Sequence, residues 1–266
     1  MNKLPYLWSD FSGTFWRNHI LTIKMPIYVF ISLINPLIWL VLFSQVFQSV
    51  SYSPSYDSYG GSYLAFLAPG VVVMTILFAA GWAGMGMLGE LQSGVIEKII
   101  ATPSNRTAVI LGKVTHTGVI TVIQSFIIMG IACLMGAGGS LRATAIAGIF
   151  LFSLIMSAGI AACSYAVAIV VRQMHSFMSV VNVVLLPLNF MSSSLTPFNT
   201  LPKWIQNISN LNPIEWLVQV IRMLWTDGWS TQLVRPMALV IAFSIGAVAM
   251  CSIVFNRALN DDWKAV

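Results

Sequence analysis

Five of the chain's thirteen basic and eight acidic residues fall between positions 90 and 113: Glu90, Glu97, Lys98, Arg106 and Lys113. Through this island Leu91, Val95, Ile99 and the neighbouring Ile96 recur at helical spacing, while Glu90, Glu97 and Lys98 lie elsewhere around the same helix. Gly94 loosens the predicted helix, and Pro103 ends it by disfavouring helical backbone at Thr102. A short amphipathic helix carrying ionic groups is suited to docking on another polar surface; a solvated loop helix fits the same pattern. The stretches on either side carry no charge over at least twenty residues.

Other chemistry is missing. No Gly-x-x-x-x-Gly-Lys-Ser/Thr loop occurs; Gly112-Lys113 is followed by Val114 and has no upstream glycine at the required spacing. The three histidines, His19, His116 and His175, are far apart, and no activated serine or metal pair for an intramembrane protease is evident. Cys133, Cys163 and Cys251 are an odd, dispersed set, which argues against a disulfide framework or metal site. The acids lie at positions 10, 57, 90, 97, 215, 227, 261 and 262, all at predicted interfaces or loops. An ion-driven carrier would place one mid-span as its coupling group. Energy for any uphill transport is therefore expected from elsewhere.

The elements that position the island are membrane spans. At 58% hydrophobic and 8% charged, the chain falls far below the roughly one-quarter charged residues of a soluble domain. Six spans fit, near residues 27–47, 63–88, 108–135, 144–171, 177–195 and 237–255. Arg142, Arg172 and Arg235 mark span ends, because a charge at a helix centre costs about 2.5–3.5 kcal/mol. No secretory signal is expected. An even span number puts both termini on one side. With them fall Lys3, Arg17, Lys24, Lys98, Arg106, Lys113, Arg172, Arg257 and Lys264, leaving Arg142, Lys203, Arg222 and Arg235 opposite. This bias predicts cytoplasmic termini and a cytoplasmic island.

Two segments are not expected to cross. Leu4, Leu7, Trp8, Phe11 and Phe15 repeat at helical spacing among Lys3, Asp10, Arg17 and Asn18, as in an amphipathic helix lying in the interface over residues 1–24. Residues 196–235 hold a short apolar pattern, then Asn212-Pro213 as N-cap and first helical residue, then about a dozen residues with Glu215, Gln219 and Arg222. That helix is too short and polar to span, and predicts a hairpin dipping into the outer leaflet, in which Glu215 and Arg222 share a face.

Two span faces are polar. Asn35, Trp39, Leu42 and Gln45 align on the first span, and Ser179, Asn182, Leu186, Asn189 and Ser193 on the fifth, with Pro36 and Pro187 able to kink them. Such amides call for protein contact or a water-accessible path; ordinary helix–helix hydrogen bonding satisfies them equally. The small residues Ala80/Gly84 and Ala158/Ala162 predict close helix packing.

The run Glu90-x-x-x-Gly94-x-x-Glu97-x-x-x-Ala101-Thr102-Pro103-x-x-Arg106, with Gly112-Lys113 after it, resembles the coupling segment of type-2 ABC exporter permeases. Pro187-Leu-Asn-Phe-Met-Ser-Ser-Ser194, Pro197, Leu201-Pro202-x-Trp204-Ile-Gln206, Asn212-Pro213 and Arg222 resemble that family's fifth span and outer hairpin, nearest the daunorubicin-resistance and nodulation-type branch. The resemblance implies an all-α membrane protein, a single permease domain over residues 1–266, in a bacterial inner membrane. It implies that Glu90, Gly94, Glu97, Lys98, Thr102, Pro103 and Arg106 (within residues 90–106) couple to a separate cytoplasmic ATP-binding subunit, two copies of which serve a permease homodimer or a pair of related permeases. ATP and magnesium would sit on that partner, with no cofactor on this chain and no nucleic acid. The path would run past Asn35, Trp39, Gln45, Asn182, Asn189 and Ser193, closed by an outer gate of Asn212, Pro213, Glu215 and Arg222. The cargo expected is an amphipathic drug or antibiotic, or alternatively a lipid or lipid-linked polysaccharide. A channel or scaffold without ATP coupling is the rival class.

Overall fold

The computed structural model describes residues 4–47, 62–100, 105–138 and 142–262. They form eleven α-helices: α1 (Leu4–Lys24), α2 (Ile27–Val46), α3 (Tyr63–Gly81), α4 (Gly84–Gln92), α5 (Val95–Ile100), α6 (Arg106–Leu134), α7 (Ala143–Val171), α8 (Met174–Phe190), α9 (Lys203–Ser209), α10 (Pro213–Thr226) and α11 (Val234–Asp262). Single 3-10 turns precede α9 and α11.

Helix starts follow local chemistry. The Ser62 side chain accepts from Ala65 N at α3, Asn105 from Thr107 N and Ala108 N at α6, and Asn212 from Ile214 N at α10. α7 stops at Arg172, which takes a left-handed φ of 55°. Among the described residues five segments are long and apolar enough to cross a membrane: α2, α3 with α4, α6, α7, and α11 with its preceding turn. The fifth expected span, α8, is apolar but only 17 residues long, about 25 Å against a hydrocarbon core of about 30 Å.

The spans differ in how much of them the protein covers. The most apolar eighteen residues within Tyr63–Gln92 are 83% buried, whereas Val29–Val46 is 22% buried. α3 is thus the central post, touching α2, α6, α7, α8 and α10, and α7 packs against α6 and α11. α2 lies at the edge on α3 and α6, its Phe30, Ile31, Ile34, Ile38 and Leu42 exposed. Close packing at Gly84 follows the sequence expectation: a Cβ there would stand 2.6 Å from the Ser164 carbonyl oxygen of α7.

Three boundaries depart from the sequence reading. The second span breaks at Trp82–Ala83 and resumes as α4. The island helix is split, because Gly94 adopts φ 69° between α4 and α5, a conformation costly for any residue with a Cβ. The helix of the fifth span ends at Phe190 rather than running to 195, and residues 191–196 are turns.

Candidate functional site

Those turns put non-helical backbone beside the spans, where it survives only if protein satisfies its polar groups. The hairpin supplies the partners. From its N-cap position Asn212 donates through Nδ2 to Leu188 O at 2.7 Å and Met191 O at 3.1 Å. Glu215, one turn on, accepts from Ser193 N at 2.6 Å and Ser193 Oγ at 2.9 Å, with Gln219 Nε2 at 3.1 Å. Arg222, seven residues further, donates to Ser193 O at 2.7 Å and Ser193 Oγ at 3.1 Å. Its guanidinium lies 4.1 Å from the Phe66 ring centroid, a cation–π arrangement. Tyr63 donates its hydroxyl to Leu195 O at 3.2 Å.

Glu215 and Arg222 do share a face with Gln219, and they meet on one residue, Ser193. Glu215, expected on the hairpin helix at an interface, is only 1% exposed, because the hairpin folds it against the broken span. Gly70 of α3 completes the hub. A Cβ there would lie 1.8 Å from Ser194 O, so only glycine lets the turn seat on the central post.

At the opposite end of the spans is a second hub. Glu90 accepts from Arg17 Nη2 at 2.6 Å through one carboxylate oxygen and pairs with Lys113 Nζ through the other. Arg17 belongs to α1, Glu90 to α4 and Lys113 to α6. Lys113 is 3% exposed, so the last charge of the sequence island is internal. Asp10 of α1 accepts from Asn105 N at 2.6 Å, at the head of α6.

α1 therefore presents part of its polar face to its neighbours, Asp10 and Thr14 to α6 and Arg17 to Glu90 of α4, and turns Trp8, Trp16, Ile20, Leu21 and Ile23 outward. This arrangement suits a helix whose outer surroundings are lipid. Of the remaining island residues, Lys98 is exposed and Arg106 half-buried. Thr102 and Pro103, and the side chain of Glu97, lie outside the described residues.

The two polar span faces fare differently. Asn35 and Gln45 are exposed on α2, and Trp39 donates from Nε1 to Asn35 Oδ1 at 3.0 Å. Asn182 is exposed on α8, but Asn189 and Ser193 are buried. Because the helix ends at Phe190, Ser193 does not continue the face that carries Asn182. Neither amide atom of Asn189 has a protein partner. Its residue lines a cleft of about 310 Å³ with Phe43, Phe47, Tyr63, Phe190 and Leu195. Trp39 stands 4.6 Å from Phe43 and 6.2 Å from Phe190 by ring centroids.

Sequence reasoning missed the pairing of Arg17 with Glu90, 73 residues apart, and that of Ser193 with Glu215. Only the charges on α1 and the serine run hinted at them. Among the described residues no group of three His, Cys, Asp or Glu could hold a metal ion.

Comparison with known proteins agrees with this architecture. The ABC-2 type transporter family profile matches residues 10–225, which include both hubs. The chain is 28% identical over 77% of its length, and 70% of the relative's, to the putative transport permease ycf38 of Cyanophora paradoxa. It is 23% identical, over 88% of its length and 80% of the relative's, to the daunorubicin resistance ABC transporter permease protein DrrB1 of Streptomyces coeruleorubidus. It is 21% identical, over 84% and 78%, to the probable doxorubicin resistance ABC transporter permease protein DrrC of Mycobacterium tuberculosis.

Proposed function

The chain belongs to the ABC-2 type transporter family, and from that premise we propose that it is the permease subunit of an ATP-driven exporter. In this reading two copies of the chain form a homodimer in a bacterial inner membrane, each carrying one copy of a separate ATP-binding subunit. ATP and magnesium are held by that partner, and this chain carries no cofactor. Both termini and the island lie in the cytoplasm, in keeping with nine of the thirteen basic residues on that side.

The observation that carries this reading is the pairing of two features within the family match. One is an island whose short helix, α5, is set off from α4 by Gly94 and bears an exposed Lys98. The other is a set of spans without a mid-span acid for ion coupling. Closure of the ATP-binding subunits moves α4–α5 as a lever, and the shift opens a path along α2 and α8 towards the hairpin end. There the Glu215–Ser193–Arg222 hub, with Asn212 and Pro213 at the head of α10, serves as the outer gate.

The cargo favoured is an amphipathic small molecule of the drug or antibiotic type, in line with the resistance named for the Streptomyces and Mycobacterium relatives. Export of a lipid or lipid-linked polysaccharide is the second reading. It is favoured by the aromatic group of Trp39, Phe43 and Phe190, which suits stacking on a sugar ring.

Purification of the intact chain in mild detergent tests the class: an ATPase with a phosphate-binding loop is expected to come down with it, and its absence points to a channel or scaffold. Gly94→Pro tests the lever. Proline fixes φ near −65°, against the observed 69°, so α5 must reorient. Substrate-stimulated ATP hydrolysis of the complex is expected to fall about tenfold, equivalent to about 1.4 kcal/mol, while the spans keep their thermal stability. Undisturbed coupling would sink the lever.

A further inference from the structure

We infer that Glu90 is a positioning residue, which bolts α1 to α4 and α6 so that the three move as one body, rather than a docking contact for the ATP-binding subunit. This rests on the permease reading and divides the island by role. Both carboxylate oxygens of Glu90 are committed inside the chain, one to Arg17 and one to the buried Lys113. Each oxygen already holds a cation, and the side chain is only 17% exposed, so little of the carboxylate is left for a partner subunit to reach. Lys98 and Gln92, by contrast, are exposed on the same island.

Independent contacts show that the bolt closes a continuous seam. In chain order, Asp10 meets Asn105, Phe11 and Thr14 flank Gly112, Arg17 reaches Lys113 through Glu90, and Phe15, His19 and Thr22 meet His116. The partners rise together along the two helices, so α1 and α6 run in the same direction over about three turns of α6. Gly112 sets the spacing: a Cβ there would stand 2.8 Å from Phe11 O and 3.0 Å from Thr14 Cβ.

The length of α6 places the seam. Its 29 residues span about 43 Å, some 13 Å more than the hydrocarbon core. The polar residues Arg106, Thr107, Lys113, Thr115, His116 and Thr117 put that surplus at the α1 end. The seam therefore sits where the span leaves the lipid, and force on α4–α5 passes through Glu90 to α1 and α6 together.

The test uses the full chain, alone and with its ATP-binding subunit. Arg17→Gln cuts only the α1 arm of the bolt, and Glu90→Gln removes the charge from both arms. Both are expected to speed hydrogen exchange of α1 amides about tenfold, through local opening, with α7 and α11 unchanged, and Glu90→Asp is expected to recover part of the protection. Both variants should retain the ATP-binding subunit on purification yet uncouple its hydrolysis from the permease. Lys98→Glu should do the reverse, weakening capture with α1 protection intact. Unchanged exchange of α1 in both variants overturns the bolt. Release of the ATP-binding subunit by Glu90→Gln with α1 protection intact overturns it too, since Glu90 would then be a docking contact. If the unmodified chain captures no ATPase, the permease reading and the coupling role fall, and the exchange arm still decides the bolt.

Discussion

Glu215→Ala is expected to destabilise the folded chain by about 3–5 kcal/mol. The carboxylate is buried and accepts from Ser193 N, Ser193 Oγ and Gln219 Nε2. Hydrogen bonds to an ionised acceptor contribute about 1.5–3 kcal/mol each, and a buried N–H left without a partner costs about 1–3 kcal/mol. Alanine removes the acceptor and leaves both Ser193 donors facing a void, beside a guanidinium that still grips the same serine. In purified protein the melting temperature should fall by an amount on the order of 10 °C. Glu215→Gln keeps the shape and one acceptor and should fall less. A melting temperature for the alanine variant within about 2 °C of the parent would mean that the turn does not depend on this carboxylate.

The second large effect is expected at Gly70. Overpacking costs about 1–3 kcal/mol when side chains can shift, but the atom a new Cβ would strike, 1.8 Å away, is the Ser194 backbone oxygen. Ser194 sits in a turn held on its other side by Glu215 and Arg222 through Ser193. Gly70→Val should therefore cost about 3 kcal/mol or more and lift the turn off α3. Thiol labelling at Thr196→Cys, in a chain with its native cysteines replaced, should then change along with the melting temperature. Gly130→Ala is the control: nothing lies within 4 Å of a Cβ there, and helix propensity favours alanine by about 1 kcal/mol. Equal effects at the two glycines would refute the close approach.

Much of this architecture was legible because it is local. Apolar runs bounded by Arg142, Arg172 and Arg235 give the spans directly, since those charges stand at or beside helix ends. Asn212-Pro213 announces the start of α10 through its cap chemistry alone. What was not legible depends on distant partners. Glu215 looks like an interfacial acid on a short helix until the end of α8 is laid against α10. Lys113 looks like the last charge of a solvated island until Glu90 and α1 close over it. The end of α8 at Phe190 was hidden for a different reason. The serines that follow are neutral in hydropathy, and only their hydrogen bonds to the hairpin make a non-helical path there affordable.

The seam between α1 and α6 has a consequence for how the chain is made. α1 leaves the ribosome before α6, and the contacts that hold it lie on α6 as far as His116, some ninety residues later. At about 5–20 residues per second of synthesis, α1 waits about 5–20 s for its partner. During that interval the outward Trp8, Trp16, Ile20 and Ile23 give it somewhere to wait, since a helix with such a face rests on the lipid surface. The same residues that leave the finished protein with an apolar outer flank thus serve as a mooring during birth, holding the first helix beside the place where the third span will arrive.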